Sequence, residues 1–347
     1  MRGIAALAVG WLHAATYFRL NFEPHHASLA VDFFFVLSGF VIAYAYDGKL
    51  KAGMTFADFA AKRLIRLYPL IFIGVLVGTL VSIGIAALDD ADLKRVLALG
   101  CAALVLFPLG TLLGMQPFPV NNPLWSLFFE LIANGIYGLG KGRPASSLLS
   151  FAALAVSAIL LVAVTVHYGT IERVGFGGKI SSSLGLVRVC YPFLTGVLIY
   201  RYQLFVRGFS KFDSMCALLL VAIFATPYFQ QSWLYDVTCI LLIFPLLISI
   251  GTHDPTNRFA TAFWTISGNL SYPFYLIHQP IVRAASAFYH RNLLYRVTPG
   301  LAACLSLIIA AASSYLIFLV YDRPLRAWLT KQRECARYHQ ASARHSA

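Results

Sequence analysis

The sequence predicts an all-α polytopic membrane protein, a bundle of about ten transmembrane helices. Of its 347 residues, 59% are hydrophobic and only 12% are charged, about half the charged share of an average soluble domain. Mean hydropathy is +0.73, and several apolar stretches reach the roughly 17–25 residues that a spanning helix needs. Because these stretches lack the alternating pattern of barrel strands, we predict helices that satisfy their own backbone hydrogen bonds.

Eleven apolar stretches are long enough to be candidate spans. They begin near Gly3, Leu29, Leu67, Leu93, Pro123, Ser147, Leu184, Ser214, Trp233, Leu270 and Pro299. The first contains the polar His13 and lacks a small-residue cleavage site, so we predict a retained helix rather than a signal peptide. The segments between the spans are too short for a soluble domain. We therefore expect a membrane-embedded domain over residues 1–325 and a basic cytoplasmic tail over 326–347.

The net charge of +13 is concentrated in particular loops rather than on one aromatic-studded face, which argues against nucleic-acid binding. The positive residues that form these clusters are Lys49, Lys51, Lys62, Arg63, Arg66, Arg201, Arg207, Lys211, Arg323, Arg326, Lys331, Arg333 and Arg337. The positive-inside rule places these segments, and with them both termini, in the cytoplasm.

Two cytoplasmic termini require an even number of crossings, so one of the eleven stretches is not expected to cross. The acidic turn "DDAD" at 89–92 indicates an outer loop, and "KGR" at 141–143 indicates an inner one. Residues 93–140 should therefore contribute a single crossing. We predict ten full spans and a broken or re-entrant helix within residues 93–114.

Ionisable groups inside the spans are costly and are therefore candidates for function. These groups are His13, Asp32, Glu130, Arg188, His278 and Arg283. A rise of about 1.5 Å per residue places His13 about 16 Å from the inner face and Glu130 about 10 Å from the outer face. Their similar depth predicts a buried acid/base pair. Alternatively, His13 hydrogen-bonds a carbonyl and Glu130 pairs with an arginine.

Two further groups of residues are predicted to carry no chemistry. The six cysteines contain no CxxC pair and mostly lie inside spans, so we expect them to pack in the core. His25 and His26 are adjacent but lack a third ligand, which makes a weak metal site. We expect both histidines to be solvated loop residues and predict no metal.

Six motifs occur in one order along the chain. They are Arg2 and His13 separated by ten residues, "DFFFVLSGF" (32–40), "RLIRLYP" (63–69), "PLWSLFFELIANGIY" (123–137), "SYPFYLIHQP" (271–280) and "YDRPL" (321–325). Together they resemble the acyltransferase 3 family of bacterial membrane O-acyltransferases. The sequence departs from the family at Asp322, where glutamate is usual.

The resemblance implies transfer of an acyl group, most often acetyl, from cytoplasmic acyl-CoA to a hydroxyl of a cell-surface or exported glycan. Acetyl-CoA is therefore the expected donor, although succinyl-CoA or another acyl-CoA remains open. The implied location is the bacterial cytoplasmic (inner) membrane. The expected partners are acyl-CoA inside, a glycan or glycolipid acceptor outside, and the lipid bilayer.

The resemblance also implies roles for individual residues. His13 is expected to act as a general base or as a transient acyl carrier, and Glu130 to orient its ring. His278 is expected to position the thioester or to donate to the oxyanion, unless it is only a satisfied polar residue at a helix interface. The cytoplasmic mouth is expected to bind the CoA phosphates through Arg2, Arg63 and Arg66. The expected supporting residues are Asp32, Ser38, Trp125, Ser126, Tyr272, Tyr321 and Asp322.

Two other classes of membrane protein fit part of this pattern. A proton-coupled transporter also carries ionisable groups inside its spans, although no half-repeat is recognisable here. A glycan flippase would bind an acceptor without chemistry, and thioester turnover would separate it from an enzyme. Arg188 fits either contact with an anionic acceptor or neutralisation of a buried carboxylate.

Overall fold

The computed structural model describes residues 1–88, 92–140, 147–175, 184–206, 212–251, 258–291 and 297–345. Within these ranges the chain forms helices joined by turns, with no strand. The all-α prediction is therefore confirmed for the described residues.

The helices are numbered here in chain order. They are α1 (Arg2–Tyr17), α2 (Ala30–Lys51), α3 (Phe56–Leu88), α4 (Leu93–Leu104), α5 (Leu109–Leu112), α6 (Leu124–Leu139), α7 (Ser147–Tyr168), α8 (Gly185–Arg201), α9 (Phe212–Ala225), α10 (Ser232–Ile250), α11 (Arg258–His290), α12 (Pro299–Ile317) and α13 (Arg323–His345). A 3-10 turn, His25–Leu29, precedes α2. A π-helical segment, Phe318–Asp322, joins α12 to α13.

Five helical segments of the described chain are long and apolar enough to cross a membrane. They are His25–Lys51, Phe56–Leu88, Ser147–Tyr168, Ser232–Ile250 and Pro299–Ala336. The protein is therefore a multi-pass membrane protein, but the predicted count of ten spans is not confirmed. One reason is that predicted spans such as those starting near Gly3 and Pro123 form helices of only 16 residues.

The chain breaks where a broken helix was predicted. Helix α4 has 12 residues, about 18 Å of helix, which is shorter than the hydrocarbon core of roughly 30 Å. It stops at Leu104, and the four-residue α5 follows a turn in which Leu106 has a φ of 54°. The charged motif at 141–143 and residues 89–91 lie outside the described residues.

Helices α2 and α8 approach each other closely through glycine. A Cβ atom on Gly39 would collide with the carbonyl oxygen of Phe193, and one on Gly196 would collide with that of Val36. Small residues allow such close backbone contact between membrane helices. The "SG" pair of the second span is therefore a helix-packing site at Gly39.

Helix α1 is held against α11 by hydrogen bonds at its end. The carbonyl oxygen of Tyr17 accepts from Ser286 Oγ at 2.9 Å and lies 3.0 Å from His290 Nε2, and the Tyr17 hydroxyl accepts from Gln279 Nε2 at 2.7 Å. These contacts set the register of the two helices. They place His13, one turn earlier on α1, beside α11.

Candidate functional site

A pair of histidines lies at the contact between α1 and α11. His13 Nδ1 is 2.8 Å from His278 Nε2, and the two rings lie edge to edge and nearly parallel, at 11°, with centroids 5.1 Å apart. The Phe274 ring stacks on His278 at 5.2 Å. His278 is fully buried and His13 is half-buried. The two histidines that the motifs supplied, 265 positions apart, are thus direct partners.

The hydrogen bonds of the pair define its neutral tautomers. His278 Nδ1 lies 2.9 Å from the carbonyl oxygen of Phe274, which can only accept, so Nδ1 carries the proton. With both rings neutral, His278 Nε2 is then an acceptor, and His13 Nδ1 donates to it. The remaining nitrogen, His13 Nε2, is left with a free lone pair. This is the arrangement of a general base whose ring is oriented by a second group.

Glu130 is not hydrogen-bonded to His13 Nδ1, which pairs with His278 instead. Its Oε1 accepts from Ser38 Oγ at 2.6 Å and from an Arg63 guanidinium nitrogen at 3.3 Å. The alternative in which Glu130 pairs with an arginine is therefore the one seen. The expected orienting contact on His13 comes from His278 instead.

The loop before α6 is held against α11. The loop before α6 is buried, with Phe118 and Val120 each 1% exposed and Asn121 fully buried. Asn121 Nδ2 donates to the carbonyl oxygen of Leu276 on α11 at 2.8 Å. This contact fixes where α6 begins relative to α11.

Three neighbouring cavities lead inward from the basic end of the bundle, the end where Arg2, Arg66 and Arg326 lie. The basic groove, of about 620 Å³, lies between the start of α3 and α13. The central cavity, of about 290 Å³, shares Arg66 and Arg326 with the groove. The inner cavity, of about 50 Å³, shares Arg2, Ser38, Glu130 and Tyr272 with the central cavity.

The predicted phosphate-binding arginines lie at two levels of this path. Arg66 lines both the groove and the central cavity. Arg63 is only 5% exposed and lines the central cavity beside Glu130. The buried Nε atoms of Arg2 and Arg63 have no hydrogen-bond acceptor among the described residues. The central cavity therefore presents unsatisfied cationic donors, which an anionic or strongly polar ligand would satisfy.

Sequence reasoning missed Tyr275, which separates the inner cavity from the histidine pair. Its hydroxyl lies 2.7 Å from Ser126 Oγ, and its ring meets Phe34 edge-on at 5.8 Å. The Tyr275 and His278 ring centroids are 6.0 Å apart. The available signal was its position three residues before His278, within the same motif. A neutral aromatic residue inside an apolar helix did not stand out among the ionisable groups.

Comparison with known proteins matches the chain to a family. The sequence profile of the acyltransferase 3 family, described as an acyltransferase domain, matches residues 1–319. The chain belongs to the acyltransferase 3 family. A relative from Rhizobium radiobacter, described as "Protein 2 in picA locus", is 34% identical over 181 residues, which are 48% of this chain and 93% of the relative. No solved structure matches the chain.

The remaining expected supporting residues lie in different parts of the bundle. Tyr272 lines the central and inner cavities, and its hydroxyl donates to the carbonyl oxygen of Leu67 at 3.0 Å. Asp322 lines the central cavity and pairs with Arg326 at 2.6 Å. Tyr321 is half-buried and is not among the lining residues of these three cavities.

Asp32 and Arg188 form an ion pair near the His25 end of the bundle. Arg188 Nε donates to Asp32 Oδ1 at 2.9 Å, and a terminal nitrogen donates to Oδ2 at 2.7 Å. The other donations of Arg188 go to the carbonyl oxygens of Ser28, Ile171 and Val174. Both partners are fully buried. Arg188 therefore neutralises a buried carboxylate, the second of its two predicted roles.

Trp125 contacts the Asp32–Arg188 ion pair, because the Arg188 guanidinium lies 5.2 Å from the centre of its ring. Trp125 is 4% exposed and also packs edge-on against Phe35. Its contacts are those of a residue that holds helices together around a cation.

The prediction that His25 and His26 are both solvated is wrong for His26. His26 is 2% exposed, its Nδ1 lies 2.9 Å from the carbonyl oxygen of Thr226, and its Nε2 lies 3.7 Å from Asp236. His25 is more exposed and lies 3.3 Å from Glu172. The 3-10 turn folds His26 inward against residues some 200 positions away, which the local sequence did not reveal.

Proposed function

We propose that this membrane acyltransferase moves an acetyl group from cytoplasmic acetyl-CoA to a hydroxyl of a cell-surface or exported glycan. The observation that carries the proposal is the His13–His278 hydrogen bond, which leaves His13 Nε2 as the free base. The cavities that lead toward this pair open at a strongly basic groove. A basic entrance and an internal base match an anionic donor and a weakly acidic acceptor.

The proposed transfer uses one proton per turnover. The acceptor oxygen attacks the thioester carbonyl carbon while its proton moves to His13 Nε2. The carbon–sulfur bond then breaks, and the departing thiolate takes the proton from His13. The products are an acyl ester and a free thiol. His278 acts as a positioning residue, because its hydrogen bond fixes the tautomer and orientation of His13 and stabilises the transient imidazolium.

The same lone pair also permits a two-step route. In that route His13 Nε2 attacks the thioester carbonyl carbon, the carbon–sulfur bond breaks to release the CoA thiolate, and an acyl-imidazole forms. The acceptor hydroxyl then attacks the acyl carbon, the carbon–nitrogen bond breaks, and the hydroxyl proton is taken up by the thiolate. Rapid quenching of protein mixed with labelled acetyl-CoA separates the routes. Label that remains on wild-type protein but is absent from His13→Ala supports the acyl carrier, and unlabelled protein supports the general base.

The orientation follows from the basic end of the bundle. We propose that Arg2, Arg66 and Arg326 face the cytoplasm, which places both termini there, in a bacterial inner membrane. The unsatisfied donors of Arg2 and Arg63 support a role in binding the donor. Because His13 lies about 16 Å along α1 from Arg2, the acyl group would travel inward on the thin pantetheine arm while the nucleotide stays outside.

The deciding experiment measures hydrolysis of acetyl-CoA, or exchange of its acetyl group, by detergent-purified protein. We expect wild type to cleave the thioester and His13→Ala to lose roughly 10²–10⁴-fold in kcat while still binding donor. Arg66→Ala should mainly raise KM. The matched control is His167→Ala, an exposed histidine on α7 outside the site.

Two outcomes would overturn the proposal. Folded wild type that neither binds nor cleaves acetyl-CoA would redirect the buried charges to transport. Equal kcat for His13→Ala and His167→Ala would remove the base from the mechanism. Donors of increasing length, from acetyl-CoA to succinyl-CoA, identify the acyl group when compared by kcat/KM.

A further inference from the structure

The basic groove has more positive side chains than the protein pairs with carboxylates. Its cationic side chains are Lys62, Arg66, Arg323, Arg326, Lys331 and Arg333, and Glu334 is the acidic residue among its lining residues. Arg333 is paired with Asp58 at 2.7 Å, and Arg326 with Asp322 at 2.6 Å. The other four cations make no salt bridge to any carboxylate among the described residues. The groove therefore holds four positive side chains that have no salt-bridge partner among the described residues, against the single carboxylate of Glu334.

The two walls of the groove are fixed to each other. One wall is the start of α3 and the other is α13, which continues from α12 through the π-helical segment Phe318–Asp322. Arg333 of α13 donates to the carboxylate of Asp58 and also, at 3.0 Å, to its carbonyl oxygen. Helix α13 is thus docked on α3, although the family profile ends at residue 319.

The groove is also continuous with the path to the histidine pair, because Arg66 and Arg326 line both it and the central cavity. Tyr46 adds an aromatic ring to its lining, fixed edge-on against Phe59 with centroids 5.0 Å apart. Phosphate-binding cations beside an aromatic surface are the chemistry that recognises a nucleotide. The volume of about 620 Å³ lies within the usual range of ligand sites.

We propose that this groove binds the adenosine 3′,5′-bisphosphate end of CoA, so that α13 forms one wall of the donor site. The inference rests on the proposed function for the identity of the whole donor. The unpaired cations, Lys331 and Arg323 among them, hold the phosphates, and Tyr46 provides a surface for the adenine ring. The pantetheine arm leaves the groove past Arg66 and enters the central cavity.

The test compares two donors that differ in the nucleotide, acetyl-CoA and S-acetyl-pantetheine. Lys331→Glu and Arg323→Glu should each lower the ratio of their kcat/KM values by roughly tenfold, the effect of losing one good charge-assisted contact. The matched control is Gln332→Glu, which adds a negative charge to an exposed position of α13 outside the groove. This control should keep the wild-type ratio.

Direct binding of adenosine 3′,5′-bisphosphate, measured by calorimetry, keeps the groove and the overall reaction separately testable. Wild type should bind it and Lys331→Glu should bind it at least tenfold more weakly. If wild type binds this nucleotide but cleaves no thioester, the groove assignment is supported and the proposed reaction is wrong. If wild type cleaves acetyl-CoA and Lys331→Glu, Arg323→Glu and Gln332→Glu all keep the wild-type ratio of kcat/KM values, the proposed reaction is supported and the groove assignment is wrong.

An anionic lipid is the other source of phosphate at a membrane surface. Thermal unfolding in nanodiscs of phosphatidylcholine with and without phosphatidylglycerol distinguishes it. Stabilisation by phosphatidylglycerol that disappears in Lys331→Glu, together with no binding of the nucleotide, would assign the groove to lipid headgroups and overturn the proposal. A fluorescence-monitored elution profile equal to that of wild type shows that each variant is folded.

Discussion

Two carboxylate–arginine pairs of the described chain differ in how completely they are satisfied, and Asp32 of one lies six residues before Ser38, which hydrogen-bonds Glu130 of the other. The outer pair, Asp32 and Arg188, is fully buried, and Arg188 donates to both carboxylate oxygens and to three carbonyls. The inner pair, Glu130 and Arg63, has one contact of 3.3 Å. Arg63 Nε is unpartnered among the described residues, and both side chains line the central cavity.

The difference separates charge that folds the protein from charge that is available to a ligand. A guanidinium with all its donors satisfied by protein has little left to offer, and removing its partner leaves a buried charge uncompensated. A guanidinium beside a cavity with an unsatisfied donor can take on another anion. Ionisable residues in a membrane span are therefore not all functional sites in the same sense.

The largest expected effect is on the outer pair. Arg188→Met should cost about 3–5 kcal/mol of stability, because Asp32 remains buried without its partner. Thermal unfolding in detergent, followed by loss of the monodisperse peak, measures it. The double variant Asp32→Leu with Arg188→Met removes both charges and should recover much of the loss. If the double variant is as unstable as the single one, the ion pair is not the cause.

A smaller effect on stability is expected at the inner pair. Arg63→Met should cost about 1–2 kcal/mol, because Glu130 keeps its bond to Ser38 and lies beside a cavity. Its main effect should be a rise in KM for acetyl-CoA of tenfold or more. A stability loss as large as that of Arg188→Met would show that the inner pair stabilises the fold as much as the outer pair does.

Glu130→Gln tests whether the inner carboxylate is catalytic or electrostatic. Since His278, not Glu130, is hydrogen-bonded to His13, we expect kcat to change by less than about tenfold, against the 10²–10⁴ of a lost general acid or base. KM for the anionic donor should fall, because the cavity loses a negative charge. Steady-state kinetics at several donor concentrations reads both parameters. A hundredfold loss of kcat would return Glu130 to the catalytic machinery.

The smallest effect is expected at Tyr275. Tyr275→Phe removes the hydrogen bond to Ser126 and should cost about 1 kcal/mol or less. It should also raise acetyl-CoA hydrolysis by water, because the barrier between the inner cavity and the histidine pair is less firmly closed. The matched control is Tyr191→Phe, which removes a bond to the carbonyl oxygen of Leu241 away from this path. Equal hydrolysis rates in both variants would deny Tyr275 a barrier role.

The sequence supplied the ionisable residues of the site but not their pairing. Residue type and span position were enough to select His13, Glu130 and His278, since charge inside a membrane is rare. Pairing depends on where each helix begins and how it is rotated, and α6 follows a buried loop in which Asn121 is bonded to α11. One-dimensional depth therefore joined His13 to the wrong partner.

The fold was predictable to a similar degree. Hydropathy predicted an all-helical membrane protein, and the charges of the flanking loops predicted a broken helix within residues 93–114, where the chain breaks after Leu104. The number of spans was not confirmed, because the length and composition of 16-residue helices and of polar helices such as α11 do not show whether they cross a bilayer. His26 was misassigned because its burial depends on Asp236, far along the chain.

The histidine pair also has a consequence for the energised membrane in which it is proposed to lie. Its hydrogen-bonded chain runs from His13 through His278 and stops at the carbonyl oxygen of Phe274, which has no proton to pass on. A proton that enters at His13 Nε2 therefore finds no second exit through this chain and has to leave by the way it came. Such a dead end would allow His13, in its proposed role as a base, to take up and release a proton without conducting protons across the membrane.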